Sequence, residues 1–308
     1  MISFIVIGKN EGRRLELCLS SIVSIIETDT ITDYEIIYVD SRSVDNSVEL
    51  AKRYCTSVFL IEGVCNAAIA RNIGAKEAKG DILFFIDGDM ELLPGFLSKV
   101  MQEDGTLEYP FLSGIFNDIV HDINWHYLHT SRRHKLNEGD VDLIQATTGG
   151  LFVIERTFWN QVGGMDTRLK LGEDYDIGLR LTRVGYPLHR KSILLANHYM
   201  RQYNIREDYV SNVKYTALLL RKHWNNIDYL KVFVSQQYTM LALVLFLIIM
   251  VSVSAWGGLL YLLAVIYKNI KQHNPWQRYW QPLVRDIVML WALFFFWPPK
   301  NELKYQRV

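Results

Sequence analysis

The chain has 308 residues, room for one large domain with an appendage or for two modest domains. Lys+Arg and Asp+Glu both total 33, so no net field points to nucleic acid as a partner. Hydrophobic residues make up 50% of the chain but are unevenly spread: residues 232–267 contain no charge and no histidine, whereas the first 231 have the make-up of a soluble α/β domain.

Met1 runs directly into an apolar strand, residues 2–7, with no basic n-region or cleavage site, so no signal peptide is expected. Residues 13–26 place Leu15, Leu19, Ile22 and Ile26 at helical spacing. A second strand is expected over 35–39 and a helix over 45–54 with Ser43 as its cap. A third strand follows at 57–61, a helix at 66–79 and a fourth strand at 81–86. Strands separated by helices of this length predict right-handed crossovers and a parallel sheet covered on both faces. Cys18, Cys55 and Cys65 follow no metal-ligand spacing and are expected as reduced thiols buried in a cytosolic domain's core.

The fourth strand ends abruptly in Asp87-Gly88-Asp89, with Met90-Glu91 and Pro94-Gly95 expected to open a helix. Ligand sites in open α/β sheets lie at the C-terminal strand edge, and two carboxylates there can hold a divalent cation that neutralises a diphosphate. No G-x-G-x-x-G or G-x-x-x-x-G-K-[ST] occurs, which excludes support for a Rossmann dehydrogenase or a P-loop NTPase. The pattern weakens over 109–144, where 111–119 reads as a strand. The stretch 121–134 holds His121, His126, His129, His134 and Arg132-Arg133, and reads as a substrate-facing or membrane-surface loop. Thr147-Thr148-Gly149-Gly150 precedes a strand at 151–154, where a backbone must approach something closely. After the turn Gly163-Gly164-Met165-Asp166, a helix opens with Glu173, Asp174 and Asp176. Capping accounts for acidic residues in a first turn, but three exceed what it requires, and one near a metal site could act as a general base.

Taken in order, several segments together resemble a known family. They are residues 7–11, 39–47, 70–75, 80–89, Gly149-Gly150, and 163–166 followed by 172–181. Over about residues 1–200 the chain resembles a family 2 glycosyltransferase of non-processive type. The fold this implies is α/β, of the GT-A kind: a Rossmann-like nucleotide-binding sheet with helices on both faces, here followed by C-terminal transmembrane helices. The resemblance further implies that Asn10, Glu11 and Asp40 hold the uracil or ribose of a UDP- or GDP-sugar, with Ile7, Ser43, Gly88 and Gly150 lining the same site. Arg71 would approach the nucleobase or diphosphate, Asp87 the sugar or ribose, and Asp89 a Mn²⁺ or Mg²⁺ ion, with Asp87 and His198 as further metal ligands. Asp174 would be the base of an inverting transfer, with Glu173 beside it and Asp176 in reserve. Two departures stand out: Arg42 replaces the glycine of the second loop, and Gly88 the commoner alanine. The Q-x-x-R-W signature of processive synthases is missing.

Residues 232–267 number 36, about 54 Å as one helix against a hydrocarbon core of about 30 Å. Ser252, Ser254, Gly257 and Gly258 lie where a turn between two crossings belongs. Arg221, Lys222 and Lys231 before it and Lys268, Lys271, Arg278 and Arg285 after it place both ends in the cytosol, favouring a hairpin over one tilted helix. Residues 287–297 suit an interfacial helix, and Lys300, Lys304 and Arg307 a basic tail beside anionic lipid. The expected domains are therefore a catalytic domain over 1–230, a hairpin over 231–268, and an interfacial segment with its tail over 269–308. The enzyme reading places the catalytic domain at the cytoplasmic face of the plasma or inner membrane, with a lipid or lipid-linked saccharide as acceptor. The alternative is a catalytically silent scaffold subunit at the membrane.

Overall fold

The structure is a computed structural model that describes residues 1–202, 208–252, 257–271 and 280–308. The chain forms two compact units, one of Met1–Tyr203 with Lys300–Val308, the other of Asn204–Pro299. These bounds depart from the expected ones: residues 204–230 group with the helices, and the last nine residues join the first unit.

The first unit is built on an eleven-stranded mixed sheet. Its N-terminal half follows the strand–helix alternation of the sequence. Strands β1 (Ile2–Gly8), β2 (Tyr34–Asp40), β3 (Ser57–Ile61) and β4 (Ile82–Asp87) are parallel, with β1 between β2 and β4 and β3 outside β2. Helices α1 (Arg13–Thr28), α2 (Ser47–Tyr54) and α3 (Ala67–Glu77) make the crossovers. Side chains alternate along β1, so Phe4 and Val6 join a core with Leu15, Leu19 and Ile22 of α1, while Ile5 and Ile7 join one with Ile69 and Ile73 of α3. Burial on both faces is why these strands read as continuous apolar runs. At Gly74 in α3 a Cβ would fall 2.2 Å from Ile5 Cγ2, so helix and strand meet through a glycine.

Beyond Asp87 the chain departs from expectation. Met90 starts a short strand, β5 (Met90–Leu92), and the helix after Pro94-Gly95 is one turn, α4 (Leu97–Val100). The stretch 121–134 is largely a strand rather than a loop: β6 (Phe111–His121) turns back into β7 (Tyr127–Arg132) as an antiparallel hairpin. Short β8 (Leu143–Gln145) and β9 (Phe152–Glu155) follow, then α5 (Arg156–Gln161), α6 (Glu173–Arg183) and the long β10 (Leu188–Arg201). β9 joins β4 to β6, and β10 runs parallel to β6 and antiparallel to β5 and β8. The C-terminal residues are not a free tail. β11 (Tyr305–Arg307) adds antiparallel to β3, with Tyr305 edge-on to Phe59 and its hydroxyl 2.6 Å from Glu77.

The second unit holds α7 (Asp208–His223), α8 (Ile227–Ser252), α9 (Gly257–Lys271) and α10 (Gln281–Phe295). Helices α8 and α9 pack together, as the arms of the expected hairpin would, and α10 packs on α7 and α8. Ser254 and Arg278 lie outside the described residues. Among the described helices, one segment, Ile227–Ile248, is long and apolar enough to cross a membrane, and 22% of its most apolar window is buried. Leu245, Ile248, Leu262, Ile266, Trp291 and Phe294 are exposed. Arg221 closes the end of α10, donating to the Ala292 and Leu293 carbonyls at 2.9 and 2.8 Å with its guanidinium over Trp297.

Candidate active site

The C-terminal ends of β1, β2 and β4 open on one edge of the parallel half, where Asp87 closes β4 and Gly88 turns the chain back. A cavity of about 370 Å³ lies there, lined by Glu11, Asp87, Gly88 and Asp89 and by two cations, Lys9 and Lys170. Ile7 lines its floor. A Cβ on Gly88 would meet the Ile7 carbonyl at 3.2 Å and Glu11 Cγ at 3.3 Å, so the residue between the two aspartates is small because Glu11 packs against it. Burial, reinforced by the charge of Asp89, pushes the Glu11 carboxyl up to about 7, although Arg14 pairs with it at 2.7 Å.

Three residues expected at the nucleotide turn out to knit two loops together. The Asn10 amide donates to Ser43 Oγ at 2.8 Å, and Asn10 Oδ1 accepts from the Val44 amide at 2.8 Å. Asp40 is fully buried, its Oδ1 taken by the Ser43 amide at 2.7 Å and its Oδ2 by the Tyr38 hydroxyl at 3.0 Å. Its carboxylate shapes the loop through these two bonds, and it is not among the residues that line the cavity. Ser43 belongs to the same knot and does not cap α2. Both Asn10 and Arg42 hold left-handed backbone, φ 57° and 66°. Arg42 lines a neighbouring cavity of about 670 Å³ that shares Lys9 and Cys65 with the first. Cys65 is thus a cleft residue and not a core one; among the cysteines Cys18 is the fully buried one.

Arg71, 2% exposed, spends its guanidinium on protein carboxylates: Nη2 lies 2.6 Å from Asp87 Oδ1 and Nη1 3.1 Å from Glu173 Oε1. It holds the end of β4 to the start of α6. Burial raises the Asp87 carboxyl against the pull of Arg71, and pushes Glu173 up to about 7 against the same pull. Gly150 closes over the other side of Asp87. At φ 89° its ideal Cβ would fall 2.1 Å from Asp87 Oδ2, so only glycine lets the backbone approach.

Asp174 faces the same glycine loop. Its Oδ2 accepts from Thr147 Oγ1 at 2.7 Å and from the Gly149 amide at 3.1 Å, and its Oδ1 from the Tyr175 amide at 2.8 Å. Glu173 and Asp174 therefore reach other segments more than they cap α6. Asp176 is fully buried, 2.8 Å from Arg180 on the next turn, which gives it a structural place away from the cleft.

On the antiparallel side, His198 of β10 stands opposite Met90 of β5 and directs Nε2 at Asp89 Oδ2, 3.5 Å away. Its Nδ1 lies 2.7 Å from Asp118 Oδ1, and Arg133 Nε donates to Asp118 Oδ2 at 2.9 Å. Burial pulls the imidazole pKa down, but the bonds to Asp118 and Asp89 outweigh it and carry it to about 9. Asp89 Oδ1 is buried without a hydrogen-bond partner among the described residues. Of the two D-x-D carboxylates, Asp89 has an oxygen without a partner and stands beside His198, while Asp87 gives its Oδ1 to Arg71. Of the four histidines in 121–134, His121 packs among Trp125, Tyr127 and Tyr199, and His126 pairs with Asp122.

Sequence reasoning missed Lys9, Lys170, Thr147, Asp118 and Arg133. Lys170 sits two residues before the Gly172-Glu173-Asp174 block, a signal that proximity to the motif could have given. Asp118 carries no local signal, because only the pairing of β6 with β10 brings it to His198.

Residues 3–156, half of the chain, match the family model described as Glycosyl transferase family 2. The chain belongs to that family. A protein of Haemophilus influenzae described as an uncharacterized glycosyltransferase is 28% identical over 188 residues, 59% of this chain and 62% of that protein. The poly(ribitol-phosphate) beta-N-acetylglucosaminyltransferase TarP of Staphylococcus aureus is 34% identical over 93 residues, 29% of this chain and 28% of TarP. The match thus spans less than two thirds of either relative's length. The crystal structure of GalNAc-T7 with UDP, GalNAc and Mn²⁺ superposes with a TM-score of 0.59 at 19% identity, covering 98% of this chain and 59% of that one. At that identity the likeness speaks for the fold alone: this family 2 chain has the GT-A fold, with an apolar helix near its C-terminus.

Proposed function

We propose that this family 2 chain is an inverting, metal-dependent glycosyltransferase. It would move a sugar from a UDP- or GDP-sugar to a hydroxyl of a lipid or lipid-linked saccharide at the cytoplasmic membrane face. The observation that carries the reading is the meeting of His198 with Asp89, which lines a cleft together with Asp87, with the Arg71–Glu173 bridge joined to Asp87. The Asp89 carboxylate, whose Oδ1 has no partner among the described residues and whose Oδ2 lies 3.5 Å from His198 Nε2, forms with that imidazole a donor set that suits Mn²⁺ or Mg²⁺. The described residues contain no group of three or more such donors, so substrate phosphate and water would complete the coordination. A cation bound there would neutralise the charge that grows on the leaving diphosphate.

The protein's own residues divide the remaining work. Gly150 and Arg71 fix the Asp87 carboxylate, leaving it partly exposed toward the donor. Lys9 and Lys170 offset the three carboxylates of the cavity, which would otherwise repel a diphosphate. Asp174, its carboxylate held by Thr147 and Gly149, would take the acceptor's proton. Two of the relatives are named for transfer to poly(ribitol-phosphate), and a fold neighbour, GalNAc-T7, was crystallised with UDP, GalNAc and Mn²⁺. Both fit a nucleotide-sugar donor. For the membrane, the support is the exposed apolar face of α8 and the basic flanks of residues 232–267.

A thermal-shift screen of UDP- and GDP-sugars, with and without Mn²⁺, tests the donor. One nucleotide class should stabilise the protein in a Mn²⁺-dependent way, and Asp174→Asn should keep that shift while losing at least ~10²-fold in transfer. Absence of any Mn²⁺-dependent shift and of donor hydrolysis would favour the scaffold alternative.

A further inference from the structure

The parallel pairing of β6 with β10 sets Asp118 directly opposite His198, on the same face of the sheet. Two irregularities in β10, between Arg190 and Leu194 and between Leu194 and Ala196, set the register that allows this pairing. Both side chains are 13% exposed. Asp118 Oδ1 takes His198 Nδ1 at 2.7 Å, and its other oxygen takes Arg133 Nε at 2.9 Å. A histidine ring on a strand has a broad, two-fold choice of rotation about its last bond. With Nδ1 tied to a carboxylate, that choice is removed and Nε2 is left facing Asp89 Oδ2 at 3.5 Å.

We propose that Asp118 is the positioning residue of the cation site: it fixes the His198 ring so that Nε2, and not Nδ1, is presented beside Asp89, with Arg133 holding Asp118 in turn. The proposal rests on reading Asp89 and His198 as cation ligands. A carboxylate behind a ligating imidazole sets its tautomer and orientation and raises its basicity, and removing such a partner typically costs about 10–100-fold in metal affinity. Asp118 is not among the residues that line the cleft, so its effect on the cation passes through His198. Arg133 also lies over the Phe116 ring at 5.2 Å, which gives the guanidinium a fixed seat from which to hold the carboxylate.

The test uses the purified full chain and Mn²⁺ alone, with affinity read from the electron paramagnetic resonance signal of free Mn²⁺. Affinity should fall in the order wild type, Asp118→Asn, Asp118→Ala, with the alanine variant weaker by about 10–100-fold. The asparagine variant should lie between, because its amide oxygen still accepts from Nδ1 without the charge. In a His198→Ala background, Asp118→Ala should change nothing further. Wild-type affinity in Asp118→Ala, beside clear loss in His198→Ala, would overturn the positioning role and leave the cation site standing. Equal loss from Asp118→Ala in both backgrounds would also overturn it, as a merely structural effect. Unchanged Mn²⁺ binding in His198→Ala would remove the cation reading and this proposal together. If Asp118→Ala does not fold, the isosteric Asp118→Asn decides: an intermediate affinity supports the role, and wild-type affinity rejects it.

Discussion

Replacing Arg71 by methionine removes the one cation between Asp87 and Glu173 while keeping most of the side chain's length. The guanidinium is 2% exposed and makes ion pairs of 2.6 and 3.1 Å. Breaking a buried pair by deleting one partner typically costs about 3–5 kcal/mol, because the other charge is left buried and uncompensated. Asp87 is 31% exposed and recovers part of its hydration, whereas Glu173 at 12% does not, so the lower end, about 3 kcal/mol, is expected. For a unit of this size that corresponds to a fall of about 6–12 °C in Tm. Glu173→Gln in the same chain should return part of the loss, because it removes the charge left stranded by the first substitution. Arg71→Lys should not rescue fully, since a single ammonium cannot bridge two carboxylates in fork geometry. Thermal unfolding of the four proteins measures all of this. A Tm for Arg71→Met within 2 °C of wild type, on the order of the ~0.5 kcal/mol expected of an inert surface change, would refute the reasoning.

Gly150→Ala combines a φ of 89° with a Cβ 2.1 Å from Asp87 Oδ2, so it should cost about 1–3 kcal/mol and weaken UDP binding by calorimetry; an unchanged nucleotide affinity would show that Asp87 does not meet the donor. Burial raises Glu173 from 4.5 to about 7, so the folded chain keeps a proton that the unfolded chain loses, and this group's contribution to stability is lost as pH rises from 4.5 to 7. Glu173→Gln should therefore flatten the decline in Tm between pH 5 and pH 7.5, and parallel curves for variant and wild type would contradict it. In a cysteine-free background, Glu302→Cys beside β11 and Val44→Cys in the catalytic unit should both resist a membrane-impermeant thiol reagent in intact cells and react after lysis; opposite labelling of the two would place the last residues across a membrane from the sheet they join.

The parallel half of the fold was legible because each step of it is local. Apolar runs, helical spacing and polar strand ends place β1 to β4 and α1 to α3 within a few residues of where the chain forms them. The other half rests on pairings far apart in sequence. Nothing near residue 305 announces that Tyr305, Gln306 and Arg307 pair with Ile61, Leu60 and Phe59, and three basic residues among polar ones read more naturally as a tail. The site divides the same way. Asp87, Asp89, Glu173 and Asp174 stand in motifs and His198 at a position the resemblance supplies; the fold sets His198 beside Asp89 and joins Asp87 to Glu173 through Arg71. The places of Asp40 and Arg71 depended on which neighbours their side chains would meet: for Asp40 the Ser43 amide and the Tyr38 hydroxyl, for Arg71 two carboxylates 16 and 102 residues away. Residue type and motif position carry no information about such partners.

The return of β11 to the sheet also bears on how the apolar helices are used. Because Lys300–Val308 belongs to the same compact unit as Met1–Tyr203, the intervening helices leave that unit and come back to it. If they enter a bilayer, the chain must cross an even number of times, since a backbone-paired strand cannot lie on the opposite side from its partner. Charge asymmetry in the sequence leads to the same parity by an independent route. Helix α9, at 15 described residues, is about 22 Å long and falls short of a core of about 30 Å, whereas α8, at 26, exceeds it. Two full crossings therefore need α9 to gain length from the residues that flank it. Zero crossings need α8 and α9 to lie at the interface with their exposed leucines and isoleucines in the headgroup region. Either arrangement keeps β11 on the same side as the sheet it pairs with, which also carries Asp89 and His198.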